Sequence, residues 1–411
     1  MTSDTVSVIV VSRGRPDHLR LCLISLLQQD HSGFEVLVVA DAAGLDVAAQ
    51  VLPKEGRLLL PCDIANISLA RNIGIGAAAG RIIAYIDDDA VAEPSWLSRL
   101  VRPFADPDVA AAGGFVRGRN GISYQWQAQT VDATGAGAAL SVPQGISVHR
   151  GAPGRAIKTE GTNCAFRRGD LLAMGGFDPA FAFYLDETDV NMRLAALGRM
   201  TAIVTDAEVI HGSAPGDRRG PGRVPRSLFD VGASSVIFLR KHAGARDHAR
   251  AIERLRKEQR RRLLRLMVAG WLEPRDVRRL MHTLEAGMTA AAGRALEPTP
   301  PLAPAARDFA ALGGTGPRPH HFVAGLARHR HRLEDRARTL RAGGALVTLL
   351  VLSLSPRLHR MRLRRDGIWE QSGGLISPSD RNQPPIRLWR VADRIRAERY
   401  RLAHLRSFFP A

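Results

Sequence analysis

Two acidic clusters in this 411-residue sequence could do chemistry. The first, Asp87-Asp88-Asp89, follows the apolar run Ile82, Ile83, Tyr85 and Ile86, which has the length of a buried strand. Three carboxylates at a strand end repel one another and call for a cation. Mg2+ or Mn2+, which prefer oxygen ligands and usually arrive with substrate phosphates, suit them best. The competing reading is a solvated acidic turn. The order helix, strand, acidic tip favours the metal site, because open α/β sheets bind ligands at such tips. The second cluster, Asp186, Glu187 and Asp189, opens a helical pattern with Val190, Leu194 and Leu197 on one face and Gly198 at its end. A helix dipole favours negative charge there. Simple stabilisation, with Asp189 pairing Arg193 at i,i+4, therefore competes with a catalytic role. His211 closes an apolar run and is either a loop histidine or a metal ligand.

The elements that must position these groups alternate. Residues 6–11 are an unbroken β-branched run typical of a central strand. After the loop Ser12-Arg13-Gly14-Arg15-Pro16, a helix starts near Pro16 or Asp17 and buries Leu19, Leu23, Leu26 and Leu27. Residues 34–39 form a second strand leading to Asp41, and 58–60 a short third. The next helix carries Leu69, Ile73 and Gly76 or Ala77 at helical spacing, with Gly80 placed to stop it. Such alternation predicts a mostly parallel sheet with helices on its faces. Gly74-x-Gly76-x-x-x-Gly80 mimics a dinucleotide fingerprint, but these glycines lie within and at the end of a helix instead of following a strand. Residues 109–115 read as a strand, and the Gly- and Ala-rich residues 118–154 as a long flexible substrate loop. Two more strands are expected at 200–204 and 207–211.

Composition narrows the class. The length argues for two domains, or one with large appendages. Net charge is +18, carried almost wholly by arginine. The three cysteines, Cys22, Cys62 and Cys164, have neither CxxC spacing nor a disulfide framework. No export signal precedes the first strand, and the longest apolar run, 345–354, is about half of the roughly 20 residues a span requires. The expectation is a cytoplasmic protein, peripheral on the inner face of the cell membrane where it meets one.

With these residues in view, the chain from Val6 to about His211 resembles the family-2 glycosyltransferases, with a nucleotide-diphospho-sugar transferase fold. The resemblance rests on the opening strand and its Ser-x-x-Arg loop, the strand leading to Asp41, Ala70-Arg71-Asn72-x-Gly74, Asp87-Asp88-Asp89, Gly161-x-Asn163, Gly175-Gly176-Phe177-Asp178 and the acidic helix start with Arg193. It implies that Asp41 binds the nucleoside base and that Ser12 and Arg15 approach the nucleotide. It implies that Arg71 contacts nucleoside or diphosphate and that Asp88 lies with this nucleotide-binding set. Asp87 and Asp89 match the metal-binding Asp-x-Asp, and His211 falls where some members have a metal-binding histidine. The family's acidic pair is usually Glu then Asp, the second being the general base. Here the order is swapped, which makes Glu187 the expected base and Asp186 its reserve. Gly14 stands where asparagine is common, and Ala40, Ala42 and Ala43 replace the polar residues that often flank the base-binding aspartate.

The chemistry agrees. Displacing a diphosphate needs stabilisation of departing charge by a cation. It also needs a carboxylate to take the acceptor's proton. One base opposite the leaving group gives a single displacement with inversion. The partners expected are a nucleotide-diphosphate sugar donor and a glycan or lipid-linked acceptor.

Beyond His211 the character changes. Residues 212–225 are a Gly/Pro/Arg loop expected over the active site, and 228–239 look helical. Residues 246–265 form a strongly basic helix, either a solvated face or a contact to anionic lipid or an anionic acceptor. Nucleic acid is a weaker partner, since no recognition fold or aromatic interleaving accompanies the charge. Residues 297–306 are a Pro-rich linker. Residues 346–352 read as a buried strand, 359–363 and 367–371 as a hairpin turning at Asp366-Gly367, and 388–405 as a basic helix. The expected organisation is a catalytic domain over 1–240, a basic helical extension with linker over 241–316, and a small C-terminal module over 317–411. Two other functional classes compete: a non-catalytic sugar-nucleotide-binding protein, which would not need Glu187, and an anionic-surface binding protein resting on the arginines alone.

Overall fold

The computed structural model describes residues 5–212, 216 and 218–408. Along the N-terminal part, β1 (Val6–Ser12), α1 (Pro16–Leu26), β2 (Phe34–Ala40), α2 (Ala42–Val51), β3 (Arg57–Pro61), α3 (Ile67–Ala77) and β4 (Ile82–Ile86) alternate as expected. There follow β5 (Ala90–Ala92), α4 (Trp96–Leu100), β6 (Val109–Arg117), β7 (Tyr124–Trp126), β8 (Gln129–Asp132), β9 (Gly137–Ala139), β10 (Ile146–Arg150) and β11 (Arg155–Lys158). β12 (Asn163–Arg167), α5 (Arg168–Ala173), α6 (Asp186–Ala196) and β13 (Met200–His211) complete this half.

The central sheet runs in the order β10-β13-β6-β12-β4-β1-β2-β3. Six of these eight strands point the same way, and β12 and β10 run against them. The sheet is therefore mostly parallel within a mixed α/β architecture, as the alternation of elements led one to expect. β1 shows why its sequence is mostly apolar: Val6, Val8 and Val10 enter the core shared with α1 and α4, while Ile9 enters the opposite core with Ala70, Ile75 and Phe177, and buried Ser7 is satisfied by Glu35. A strand covered on both faces has no solvent side on which to place polar residues. β1, β2 and β4 are mutually parallel neighbours around β1. Their carboxyl ends lie together, so the loops bearing Ser12 and Arg15, Asp41, and Asp87 to Asp89 meet at one edge.

Three expectations need correcting. The buried face of α3 is not Leu69 and Ile73; Ile73 is exposed, and Ser68, Ala70, Arg71, Gly74 and Ile75 face inward. The helix sits close to β1 through its small residues: a Cβ at Gly74 would lie 2.8 Å from Ile9 Cγ2. Gly74→Ala is expected to cost about 1–3 kcal/mol by overpacking, seen as a lower denaturation midpoint. Residues 118–154 are not one long loop. They hold β7, β8, β9 and β10, and β8 pairs with β9 and β11 in a separate three-stranded sheet. The strands expected at 200–204 and 207–211 are one strand, β13, with a register irregularity between Val204 and Val209.

The second half contributes α7 (Phe229–His242), α8 (Ala245–Val268) and α9 (Pro274–Ala292), packed through Leu228, Leu255, Leu263, Leu280 and Leu284. The Pro-rich stretch then returns along the first half, where Leu302 N–H donates to Leu172 O and Leu312 N–H to Phe34 O. Last come β14 (His320–Leu326), α10 (Arg330–Ala342), β15 (Leu346–Ser353), β16 (Arg360–Leu363), β17 (Trp369–Gly374) and α11 (Val391–Ala403), with sheet order β14-β15-β17-β16. β16 and β17 form the expected antiparallel hairpin. This sheet is tied to the first half by polar contacts inside the interface. Arg406 bonds both oxygens of buried Glu93 at 2.7 and 2.8 Å, and Trp369 Nε1 donates to Gln28 Oε1 at 2.9 Å. Among the described residues no helix is long and apolar enough to cross a membrane.

Candidate active site

At the strand edge the three aspartates divide by alternation. Asp88 turns inward, where its Oδ2 accepts from Ser12 Oγ at 2.7 Å and its Oδ1 lies 2.7 Å from Arg15 Nη2. Burial pushes its carboxyl up to about 7, against the pull of Arg15. Asp87 and Asp89 face the other way and meet His211 from the end of β13. One ligand atom from each of the three lies within 4.8 Å of the others. His211 Nε2 is 3.1 Å from Asp89 Oδ1 and 3.9 Å from Asp87 Oδ2. Its Nδ1 lies 3.4 Å from Gln125 Oε1, and its ring stacks on Trp126. A proton on Nδ1 directed at Gln125 leaves the Nε2 lone pair facing the carboxylates, the orientation a metal-binding histidine needs. Two carboxylates and an imidazole fit a divalent cation. Arg15 Nη1, at 3.2 Å from Asp89 Oδ2, already offsets part of the negative charge.

The acidic pair stands across the same cleft of about 550 Å³, which is lined by Arg71, Asp87, Lys158, Asp186, Glu187 and His211 among others. Tyr184 and Leu185, just before the pair, both have positive φ, 74° and 66°. That conformation costs about 1–3 kcal/mol per non-glycine residue and persists only where the surroundings enforce it. Here Ser68 Oγ donates to Phe181 O, Asn66 Nδ2 to Pro179 O and Ser234 Oγ to Phe183 O, so α3 and α7 clamp the approach to α6.

Asp186 and Glu187 have different surroundings. Asp186 is buried against Arg71 in a very short ion pair. Burial pushes its carboxyl up, opposed by the Arg71 charge. Arg71 is itself buried over the rings of Tyr85 and Phe177, donates to Gly161 O, and reaches within 3.9 Å of Asp87. It is a strut between α3, α6 and the acidic tip. Glu187 accepts from Thr188 Oγ1 at 3.2 Å, lies 3.8 Å from Lys158 Nζ and beside the Asp186 carboxyl, and borders the cleft. Asp189 lies fully inside, paired with Arg193 as its spacing suggested and also with Lys241 and His242.

Asp41 caps α2: its Oδ1 accepts from Gly44 N–H at 2.8 Å and its Oδ2 from Gly14 N–H at 2.6 Å. Gly14 thus holds Asp41 through its backbone, in the left-handed conformation its φ of 67° requires. Of the loop expected over the site, residues 213–215 and 217 lie outside the described residues. Arg218 and Arg219 border the cleft, and so does Arg262 from the basic helix α8. Gln125, Trp126 and Lys158 gave no sequence signal: each is a single residue without a motif, brought in by a distant element, whereas Arg262 belongs to the basic helix for which contact with an anionic acceptor is one expectation.

Residues 7–171 match the Glycosyl transferase family 2 model. Asp186, Glu187 and His211 fall beyond the matched span. Among curated proteins, the O-antigen biosynthesis protein RfbC of Myxococcus xanthus is 30% identical over 224 residues, covering 50% of this chain and 17% of that protein. The glucosyl-dolichyl phosphate glucuronosyltransferase of Haloferax volcanii is 33% identical over 118 residues, covering 27% of this chain and 38% of that one. The chain spans between 17% and 38% of the length of these curated relatives. Among solved structures, the mannosyltransferase PcManGT from Pyrobaculum calidifontis in complex with GDP-Man and Mn2+ aligns at 18% identity over 71% of this chain and 87% of that chain, with a TM-score of 0.41. Over residues 7–171 the chain is therefore similar to the family 2 glycosyltransferases.

Proposed function

We propose that the protein is an inverting, metal-dependent glycosyltransferase that moves a sugar from a nucleotide-diphosphate donor to a hydroxyl of a glycan or lipid-linked acceptor. The observation that carries this reading is one cleft bordered by Glu187 and by Asp87 and His211, two members of a cluster that buried Asp89 completes. Asp87, Asp89 and His211 would hold Mg2+ or Mn2+. A bound cation supplies Lewis-acid stabilisation of the charge that develops on the departing diphosphate. Arg71 adds fixed positive charge on the same side, and Asp41, with Ser12 and Arg15 behind it, shapes the nucleoside end. Glu187 accepts the proton of the acceptor hydroxyl as the new bond forms. Asp186 keeps Arg71 and the start of α6 in place and does not serve as the base, because its carboxylate is committed to the guanidinium. Catalysis is assigned to 1–240, with 241–316 as extension and linker and 317–411 as a separate module. Polysaccharide assembly at the inner face of the cell membrane is the setting we favour; the similarity to an O-antigen biosynthesis protein supports the polysaccharide part of it.

A panel of sugar nucleotides, with and without Mn2+ or Mg2+, tests this reading by thermal stabilisation. A donor at about 100 times its Kd should stabilise the wild type by about 2.7 kcal/mol. The effect should require the metal and vanish in Asp89→Ala. No shift with any nucleotide sugar would overturn the reading.

A further inference from the structure

Beside the catalytic cleft, two adjoining clefts of about 870 and 660 Å³ lie between the β6–β7 connection and the C-terminal sheet. They share Arg119 and Arg360. Arg381 adds to the first and Arg357 to the second. These four side chains come from three separate segments and are exposed. None has a carboxylate within ion-pair distance among the described residues. The single carboxylate lining either cleft, Glu370, is already bonded by both Arg330 and Arg362. Positive charge is therefore concentrated in a concavity and left uncompensated. The crowding extends to Arg223 on the groove wall: burial lowers its pKa, and the charges of Arg219, Arg119 and Arg262 lower it further. The groove leads to the chemistry through one shared wall. Gln125 lines it, accepts from Arg223 at 2.8 Å and lies against His211, while the next residue, Trp126, lines the catalytic cleft.

We propose that this groove binds a polyanionic acceptor chain, one carrying phosphate or carboxylate groups along its length, and feeds its end past Gln125 to Glu187. The inference rests on the transferase reading and deepens it by naming the class of acceptor. Guanidinium groups recognise phosphate and carboxylate oxygens through paired N–H donors. Several of them along a groove suit a ligand with repeated charges better than one with a single anionic group.

The test uses the full chain with two defined probes, inorganic polyphosphate and a polyuronate of matched length, followed by fluorescence anisotropy at low and high salt. The variant Arg119→Gln/Arg357→Gln/Arg360→Gln is compared with Arg246→Gln/Arg275→Gln/Arg396→Gln, which removes equal charge from exposed positions elsewhere. The groove variant should bind roughly tenfold or more weakly than wild type with a shallower salt dependence, and the control should stay within about twofold. Whichever probe binds more tightly identifies the anionic group. Equal weakening in both variants would mean attraction by net charge alone and would overturn the proposal, as would undiminished binding by the groove variant. Single Arg119→Gln and Arg360→Gln variants settle the matter if the triple variant fails to fold. Metal-dependent stabilisation by a sugar nucleotide, measured on the same proteins, should be unaffected in the groove variant. Its absence in the wild type would sink the transferase reading, while the polyanion titrations still judge the groove.

Discussion

Replacing Glu187 with glutamine is expected to lower kcat by about 10²–10⁴, the usual contribution of a positioned general base, while the KM for the donor changes little. The amide keeps the size and the hydrogen bond from Thr188, but it cannot take a proton. Asp186→Asn provides the contrast. It leaves the Arg71 guanidinium buried over Tyr85 and Phe177 without its carboxylate partner. That change should lower stability and raise the donor KM, because Arg71 would lose the anchor that holds it beside Asp87. Steady-state kinetics over a pH series, together with urea denaturation of both variants, separates the two roles. Full activity in Glu187→Gln with a flattened pH profile in Asp186→Asn would move the base by one residue. Full activity in both would remove the acidic pair from the chemistry.

The alternating half of the fold was readable because each of its signals is local. The two-sided apolarity of β1, the proline at the start of α1 and the carboxylates after β4 lie within short windows. The Asp-x-Asp geometry follows from the same alternation, which turns Asp87 and Asp89 to the cleft and Asp88 to Ser12 and Arg15. Reading failed where strands are short or small residues replace periodicity. The strands between 118 and 154 run only three to five residues, too short for a two-residue repeat to stand out, and only β9 is built of glycine and alanine. The face of α3 was misread because its inward positions are small, apart from a buried arginine that hydrophobic spacing cannot anticipate. Contacts of long sequence separation left no trace at all. Arg406 meets Glu93, and Gln125 meets His211, only because the sheets bring them together. Lys158 reaches the cleft in the same way.

The second large effect is on stability. Replacing Asp189 with asparagine should cost about 3–5 kcal/mol, the usual result of removing one partner from a buried ion cluster. Asp189 is fully buried, and its carboxylate lies 2.8 Å from Arg193 Nε, 2.8 Å from Lys241 Nζ and 2.9 Å from His242 Nε2. Arg193 also donates to Met174 O and Gly176 O, so the cluster joins α6, α7 and the glycine turn behind the acidic pair. Burial alone would push the Asp189 carboxyl up. The His242 hydrogen bond and the Arg193 and Lys241 charges outweigh it and hold it well below the usual carboxylate range. The sign of the pH dependence follows. With the folded pKa depressed, this stabilisation is fully present above the unfolded value, about 3.8–3.9, and is lost as pH falls from there towards the folded value. The wild type should therefore lose stability relative to Asp189→Asn across the acid limb, and the gap between them should narrow below about pH 4. Urea midpoints from pH 7 down to pH 3 measure it. A constant gap throughout would show that the carboxylate's charge is not what holds α6 to α7. A gap that closes only in acid would identify this cluster as the strut that keeps Glu187 facing the cleft.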